Sequence, residues 1–470
     1  MGKNRSVLVG DRAFYKSVLS LAVPVMIQNS VTNLVNLLDN IMVGQLGTGP
    51  ISGVAIVGQL FFVFALCIFG ALSGPSIFGA QFYGAGDTEG LRNTFRLKVW
   101  MSGAVWLLMT AVFVLFHDPL IHMFLTGQGA AALADATLSS GREYLYYMIP
   151  GMLPFALSMC YGTTLREAGE TMLPMKAGIA AMLANLLGNW LLIYGHLGFP
   201  AWGVKGAAVA TVIARFVELG ILLFAVHKSA RFSFFHRMFN TLRVPIALVR
   251  QVMKKGAPLF LNEAMWSIGI AMLNQAYSVR SLIVLSGLSI SSTALNLFNV
   301  FFLSMGNAVA IMVGHSLGAG KLLEARERAW KLLFFSFMTC VGIGAVVGLL
   351  SGVFPGFYNV SPEAQRLAAG FILVSALYMP FNAVSNGCYF ILRSGGSVLM
   401  TFMFDSVFAI FGILPFTWAL VYWTDLPIGT LYAISQGANL IKFCVGLLLV
   451  RSGKWQRNIV SVYSKAEETG

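Results

Sequence analysis

The chain has 470 residues, 57% of them hydrophobic and only 10% charged, with Lys+Arg 31 against Asp+Glu 18. Soluble domains carry about 25% charged residues, and no soluble fold hides this much apolar surface. Runs of roughly 18–25 mostly apolar residues recur along the whole length, each enough to cross a hydrocarbon core of about 30 Å. They predict helices rather than barrel strands, which alternate polarity over about ten residues.

Twelve spans are predicted, at 15–43, 52–80, 95–117, 143–164, 172–195, 203–227, 257–279, 290–317, 331–353, 367–391, 397–421 and 429–450. In the first, Asn29, Thr32, Asn33, Asn36, Asp39 and Asn40 fall within about 120° of one face at about 100° per residue. This is a polar stripe facing an aqueous cavity, with Asn33 and Asn36 as candidate substrate contacts. Asp39 lies toward the external side, about 34 Å along the helix from Lys16. It reads as a carboxylate that takes up H⁺ or Na⁺, or as an interfacial cap on the helix end. Pro24, early in the same span, removes a backbone hydrogen bond and predicts a kink or hinge.

In the fifth span Asn185 and Asn189 are i, i+4 neighbours on one face. Two amide oxygens beside a carboxylate suit a hard cation such as Na⁺, or hydrogen-bond a titrating acid; interhelical amide contacts are also ordinary packing. Thr211, in GVKGAAVATVIAR of the sixth span, offers another oxygen, and Glu218 follows Arg215 at the spacing of a local ion pair. The connection at about 228–256 is basic with scattered Phe, as expected of an amphipathic linker along the anionic inner leaflet. Glu263, in the seventh span, shares a face with Ser267 and Asn274 and lies near Trp266. It reads as a proton carrier, as the counter-charge of a cationic substrate, or as structural. Tyr378 and Asn382 in the tenth span are further candidate cavity residues, although aromatic side chains also serve ordinary helix packing. Asp405 suits a gate or a packed polar cluster equally. Lys442 sits deeper than snorkelling easily allows, and its partner is not legible. Each intramembrane acid costs at least about 2.5–3.5 kcal/mol at mid-bilayer, so each demands a partner, a wet cavity or a proton.

The basic residues follow topology. With both termini cytoplasmic, 25 of the Lys and Arg residues fall on the inner side, among them Lys3, Arg5, Arg237 and Lys465, and four, Arg142, Lys205, Arg280 and Arg366, on the outer. That is the positive-inside pattern of a multi-pass protein of the cell membrane, and nucleic acid is not needed to explain the charge. Cys67, Cys160, Cys340, Cys388 and Cys444 lie inside spans without metal-ligand spacing and read as packing residues. No nucleotide-loop spacing is present. No cofactor is expected beyond H⁺ or Na⁺ as coupling ion, with a Na⁺ site at Asp39, Asn185, Asn189 and Thr211 as the one metal candidate. An enzyme is not expected either, because the six histidines lie near span ends or loops.

The chain repeats itself. Pro24 and Pro258 open matching helices 234 positions apart; Gly84-Ala85-Gly86 and Gly318-Ala319-Gly320 keep the same offset, and Arg166 and Arg393 are separated by 227. Duplication of a six-span unit follows, and because six is even, both copies insert the same way up. The expected organisation is a lobe at 1–230, a basic cytoplasmic linker at 231–256, a second lobe at 257–455 and a cytoplasmic tail at 456–470.

Six-plus-six helices, LLDNIMVGQLG, LREAGET with NLLGNWLLIYG, GVKGAAVAT and GAPLFLNEAMWS together resemble the multidrug and toxic compound extrusion (MATE) transporters, over about 15–450. The resemblance implies a monomer of two pseudo-symmetric six-helix bundles, all-α and integral to the membrane. It also implies export of small organic cations, drugs or amphipathic metabolites in exchange for H⁺ or Na⁺. The family's first-helix carboxylate matches Asp39, its kink proline Pro24, its helix-five pair Asn185 and Asn189, its helix-six threonine Thr211 and, in one branch, its helix-seven glutamate Glu263. Some members carry Asp at the position of Asn189, and the glutamate branch carries Asp at that of Asn382. The coupling ion therefore stays open. The reading is an alternating-access antiporter; the alternative is a flippase for a lipid-linked precursor, which would want a deep basic cavity where Arg215 and Lys442 are the bases expected well inside helices.

Overall fold

The computed structural model describes residues 8–125, 131–236, 238–279, 282–358 and 360–461. Lys3, Arg5, Arg237, Arg280 and Lys465, used above to orient the chain, lie outside the described residues. Among the described residues there is no strand. Helices follow in chain order as α1 Arg12–Gly44, α2 Thr48–Ala85, α3 Thr88–Leu125, α4 Ala131–Met148, α5 Met152–Glu167, α6 Met172–Tyr194, α7 Val204–Lys228, α8 Ile246–Ser278, α9 Leu282–Gly318, α10 Leu322–Leu350 and α11 Pro362–Ser394. The last part comprises α12 Val398–Phe402, a π-helical stretch Met403–Ile413, α13 Leu414–Trp423, α14 Ile428–Gly437 and α15 Asn439–Arg451.

Ten of the described segments are long and apolar enough to cross a membrane. Two more complete the twelve-helix fold: α4 and α5, joined through one 3₁₀ turn at Ile149–Gly151, and α8. Large side chains face outward as lipid-bathed helices require, with Leu108 64%, Leu349 84% and Trp423 85% exposed.

The chain divides into two compact units. One contains 24–79 and 88–249, and is called here the amino-terminal unit; the other contains 1–23, 80–87 and 250–470. The boundary within α1 falls at Pro24, where the proline leaves a helical carbonyl without its partner. In the amino-terminal unit, Phe64, Phe95, Phe113, Tyr161 and Phe235 build one buried core. Phe232, Phe235 and Met238 of the basic connection are buried in it, so this stretch packs rather than only lying along a surface. In the carboxy-terminal unit, Tyr277, Phe371 and Tyr432 form a smaller aromatic cluster, and Trp455, Ile459 and Val460 beyond α15 are buried as well.

The repeat is written in the backbone. Gly86 (φ +76) and Gly320 (φ +74) are both left-handed. Each closes a helix with the same pair of bonds: Gly86 N–H to Tyr83 C=O and Asp87 N–H to Phe82 C=O, then Gly320 N–H to Leu317 C=O and Lys321 N–H to Ser316 C=O. This is a Schellman closure, which recruits a residue without a Cβ because the left-handed region is strained for any other.

Lys98, one of the 25 bases counted on the inner side, is fully buried and ion-paired with Glu167 at 2.6 Å, with Thr164 Oγ1 at 2.9 Å. It joins Arg215 and Lys442 among the bases inside helices, and sequence spacing gave no sign of it because Glu167 lies 69 positions away.

Candidate functional site

Packing within a bilayer gains little from apolar burial, since lipid is as apolar as Leu, and close helix approach through small residues does the work instead. α6 and α7 meet in this way. A Cβ on Gly188 would stand 2.8 Å from that of Ala210, and one on Gly206 would run into the Leu192 carbonyl. This contact sets the polar side chains of α6, Asn185 and Asn189, beside Thr211 of α7.

Asp39 of α1 meets the two amides, with Thr211 behind Asn185. Asn189 Nδ2 donates to Asp39 Oδ1 at 2.6 Å. The Asn185 amide sits 2.9 and 3.0 Å from the two carboxylate oxygens and 3.1 Å from Thr211 Oγ1. Amide nitrogen and oxygen are assigned from such networks. With Asp39 ionised, the satisfied orientation has Asn185 Nδ2 donating to the carboxylate and Asn185 Oδ1 accepting from Thr211. The reverse orientation has Asn185 Nδ2 donating to Thr211 Oγ1, which then donates to the Ala207 carbonyl at 2.9 Å. That arrangement turns an amide oxygen onto the carboxylate, which is tolerable only with a proton or cation between them.

Asn189 Oδ1 is buried and takes no hydrogen bond among the described residues, an uncommon state for a buried acceptor. Asp39 has no salt bridge among them; the nearby guanidinium of Arg215 is held by Glu218 at 3.5 Å, as their spacing predicts. Carboxylate, two amide oxygens and a hydroxyl are a hard, all-oxygen donor set.

Asp39 borders two cavities. The larger, about 600 Å³, is lined by Asn36, Asn40, Gln59, Phe61, Phe62 and Tyr144 among others, with Arg215 on its wall. The smaller, about 280 Å³, includes Gln28, Thr32, Asn36, Asn185 and Glu218. The stripe read from the sequence thus supplies Thr32, Asn36, Asp39 and Asn40 to cavity walls, whereas Asn33 is exposed and lines neither. Gln28, Gln59 and Tyr144 were not singled out from sequence, where an isolated amide or tyrosine carries no spacing signal.

In the carboxy-terminal unit, the partners shown for Glu263 lie on α11 rather than at Ser267 or Asn274 of its own helix. Its Oε1 accepts from the Tyr389 hydroxyl at 3.1 Å and lies 3.8 Å from Arg393 Nη1, both of α11. Asp405 Oδ1 is bound by Lys442 at 2.5 Å and Asp405 Oδ2 by Asn262 Nδ2 at 3.0 Å. Of the two roles open for Asp405, the packed polar cluster is the one its contacts describe, and Lys442 has the partner that sequence did not reveal. Tyr378 and Asn382 are half-buried on α11 and are not among the residues lining either cavity at Asp39.

Comparison with known proteins finds a match to the MatE family model at residues 24–191 and 258–418. The chain is 26% identical over 465 residues to a "Probable multidrug resistance protein NorM" of Thermotoga maritima, covering 97% of this chain and 96% of that one. It is 29% identical over 444 residues to "Multidrug resistance protein PmpM" of Pseudomonas aeruginosa, covering 89% and 87%. Among solved structures, "Crystal structure of MATE in complex with MaD3S" superposes with a TM-score of 0.82 at 19% identity, covering 97% of this chain and 99% of that one. "Outward-facing conformation of a multidrug resistance MATE family transporter of the MOP superfamily" gives 0.80 at 19%, with 97% and 99% covered.

Proposed function

This chain belongs to the MatE family of multidrug and toxic compound extrusion transporters, and on that premise we propose that it is a monomeric cell-membrane antiporter. In this reading it exports small organic cations or amphipathic compounds in exchange for H⁺ or Na⁺ by alternating access, with both termini cytoplasmic. The observation that carries the reading is a carboxylate with no ionic partner among the described residues, held by two amides on the wall of a cavity of about 600 Å³. That volume suits a drug-sized molecule, and Phe61, Phe62, Phe64 and Phe155 offer ring faces that attract organic cations.

Ion uptake and amide orientation are linked. When Asp39 is bare, Asn185 presents Nδ2; when Asp39 takes H⁺ or Na⁺, the Asn185 oxygen becomes the better partner, and the Thr211 hydroxyl donates its hydrogen bond to the Ala207 carbonyl while accepting from Asn185 Nδ2. Asn189 Oδ1 waits as a further oxygen for Na⁺. Rearranging these bonds changes what α6 and α7 offer α1, and Pro24, where one helical hydrogen bond is already missing, is where α1 bends most cheaply. Cargo sharing the cavity with Asp39 then competes with the ion for one negative charge, which is the basis of exchange.

The test is efflux of a cationic dye from proteoliposomes with H⁺ and Na⁺ gradients imposed separately. Asp39→Asn is expected to lose at least about nine-tenths of gradient-driven efflux, a barrier or affinity change of about 1.4 kcal/mol or more. Wild-type rates in this variant would sink the reading.

A further inference from the structure

The acids of the carboxy-terminal unit belong to one continuous chain of contacts. Lys442 Nζ meets Asp405 Oδ1 at 2.5 Å; Asn262 Nδ2 donates to Asp405 Oδ2 at 3.0 Å and lies 3.4 Å from the Tyr389 hydroxyl; that hydroxyl donates to Glu263, beside which stands Arg393. Along this chain are two carboxylates and two permanent or ammonium-type cations, so it is neutral in itself. Asp39, by contrast, is bound by amides and makes no salt bridge among the described residues; the guanidinium of Arg215 on the same cavity wall is held by Glu218.

The Asp405 contacts are fixed from both sides. The Ser406 hydroxyl is shared between Asn262 Oδ1 at 2.7 Å and the Asn262 carbonyl at 2.9 Å, so the buried amide cannot turn its oxygen toward Asp405 without losing a donor. Asp405 lies near the start of the π-helical stretch Met403–Ile413, which ends just before Pro415. Wide turns of this kind accommodate a proline ring that would clash with the carbonyl four residues earlier, and they recur at functional positions in helices. Lys442 rises from α15 beside Phe404, its ammonium 5.4 Å from the ring centre. Its stem crosses an apolar cleft lined by Met400, Met403, Phe408, Val445 and Leu449. A lone ammonium in such surroundings is costly, and Asp405 is what holds it there.

We propose that Lys442 is a tethered cation: its ammonium permanently occupies the place on Asp405 that a free H⁺ or Na⁺ would otherwise take, so the carboxy-terminal unit contributes no exchangeable ion. A single positive charge two or three angstroms from a carboxylate oxygen does electrostatically what a bound monovalent ion does, but it cannot dissociate. The ion stoichiometry of the transporter is thereby set at the amino-terminal site alone, and removing the tether opens a second ion site.

Because this rests on Asp39 taking the exchanged ion, Asp39→Asn protein is the baseline. Radioactive sodium bound per purified molecule, and protons taken up on acidification read with an indicator dye, are compared in Asp39→Asn, Asp39→Asn/Lys442→Met and Asp39→Asn/Lys442→Arg. The Met variant is expected to gain about one cation equivalent, while the Arg variant, which keeps a fixed cation, gains none. No gain in a folded Met variant overturns the proposal, as does an equal gain in both. Should the Met variant fail to fold, Lys442→Met/Asp405→Asn in otherwise wild-type protein decides: it retains wild-type ion stoichiometry if Asp405 contributes no ion, and loses one ion if it does. Failure of the Asp39 reading has a separate signature, Asp39→Asn binding as much ion as wild type, and leaves the Lys442 comparison intact.

Discussion

Asp39 and Asp405 are carboxylates inside helices of the two halves of one duplicated fold, and their surroundings are opposite in kind. Asp39 is met by two amides, one of them backed by the Thr211 hydroxyl, and opens onto a cavity of about 600 Å³; Asp405 is met by an ammonium and a buried amide held by Ser406. Neither is the copy of the other. At the repeat offset of 234, Asp39 corresponds to Leu273 and Glu263 to Asn29. The halves share what the backbone needs, prolines and helix-closing glycines, and differ in what charges need. Duplication supplied a scaffold on which one half holds, at Asp39, an acid with no salt bridge among the described residues, and the other, at Asp405, an acid paired with an ammonium.

The largest expected difference between the two sites is in stability. Removing one partner of a fully buried ion pair costs about 3–5 kcal/mol, because the other charge is left stranded, and the partly buried pair of Lys442 with Asp405 is expected to fall below that range. Lys442→Met is therefore expected to lower the melting temperature of detergent-purified protein markedly, and Lys442→Met/Asp405→Asn to recover most of the loss. Asp39→Asn removes a charge with no salt-bridge partner among the described residues and is expected to leave the melting temperature unchanged or higher. Comparable losses in Lys442→Met and Asp39→Asn would erase the distinction between the sites.

Composition and periodicity were enough for the helices, because the period of apolar residues and the length of each run report the bilayer directly. The repeat was equally legible, since Gly86 and Gly320 mark conformations that other residues avoid. The Asp39 cluster could be read because its members lie on helix faces with i, i+4 spacing and because their pattern resembles a known family. The partners of Glu263 and Asp405 could not. Tyr389 lies 126 positions from Glu263, and Lys442 lies 37 from Asp405 on a different helix; no local spacing links such pairs. Asn262, which bridges them, is adjacent in sequence to Glu263, but a single amide with no i, i+3 or i, i+4 polar partner carries no spacing signal. The π-helical turn at Met403–Ile413 was likewise hidden, although Pro415 was its visible cause.

A smaller effect separates H⁺ from Na⁺ at the amino-terminal site. Hydrogen bonds to charged groups contribute about 1.5–3 kcal/mol, so Asn185→Ala is expected to move the half-saturating ion concentration for efflux by roughly tenfold or more. The sign identifies the ion. A Na⁺-coupled cycle loses an oxygen ligand and needs more sodium; a proton-coupled cycle loses a donor that favoured the bare carboxylate and needs fewer protons. The same exchange at Asn262 is expected to leave half-saturation where it is, because the charge on Asp405 is already met by Lys442.

The smallest expected effect is the one that should be equal in both halves. Gly86 and Gly320 adopt nearly the same left-handed φ, and a Cβ at either would meet nothing within 4 Å. Alanine there pays no steric cost against neighbours, only the conformational one of about 1–2 kcal/mol. Gly86→Ala and Gly320→Ala should therefore lower the melting temperature by similar small amounts, with ion stoichiometry unchanged in each. A large loss at one position alone would mean that the two helix closures are no longer equivalent. The asymmetry of the halves would then extend from the acids into the backbone that carries them.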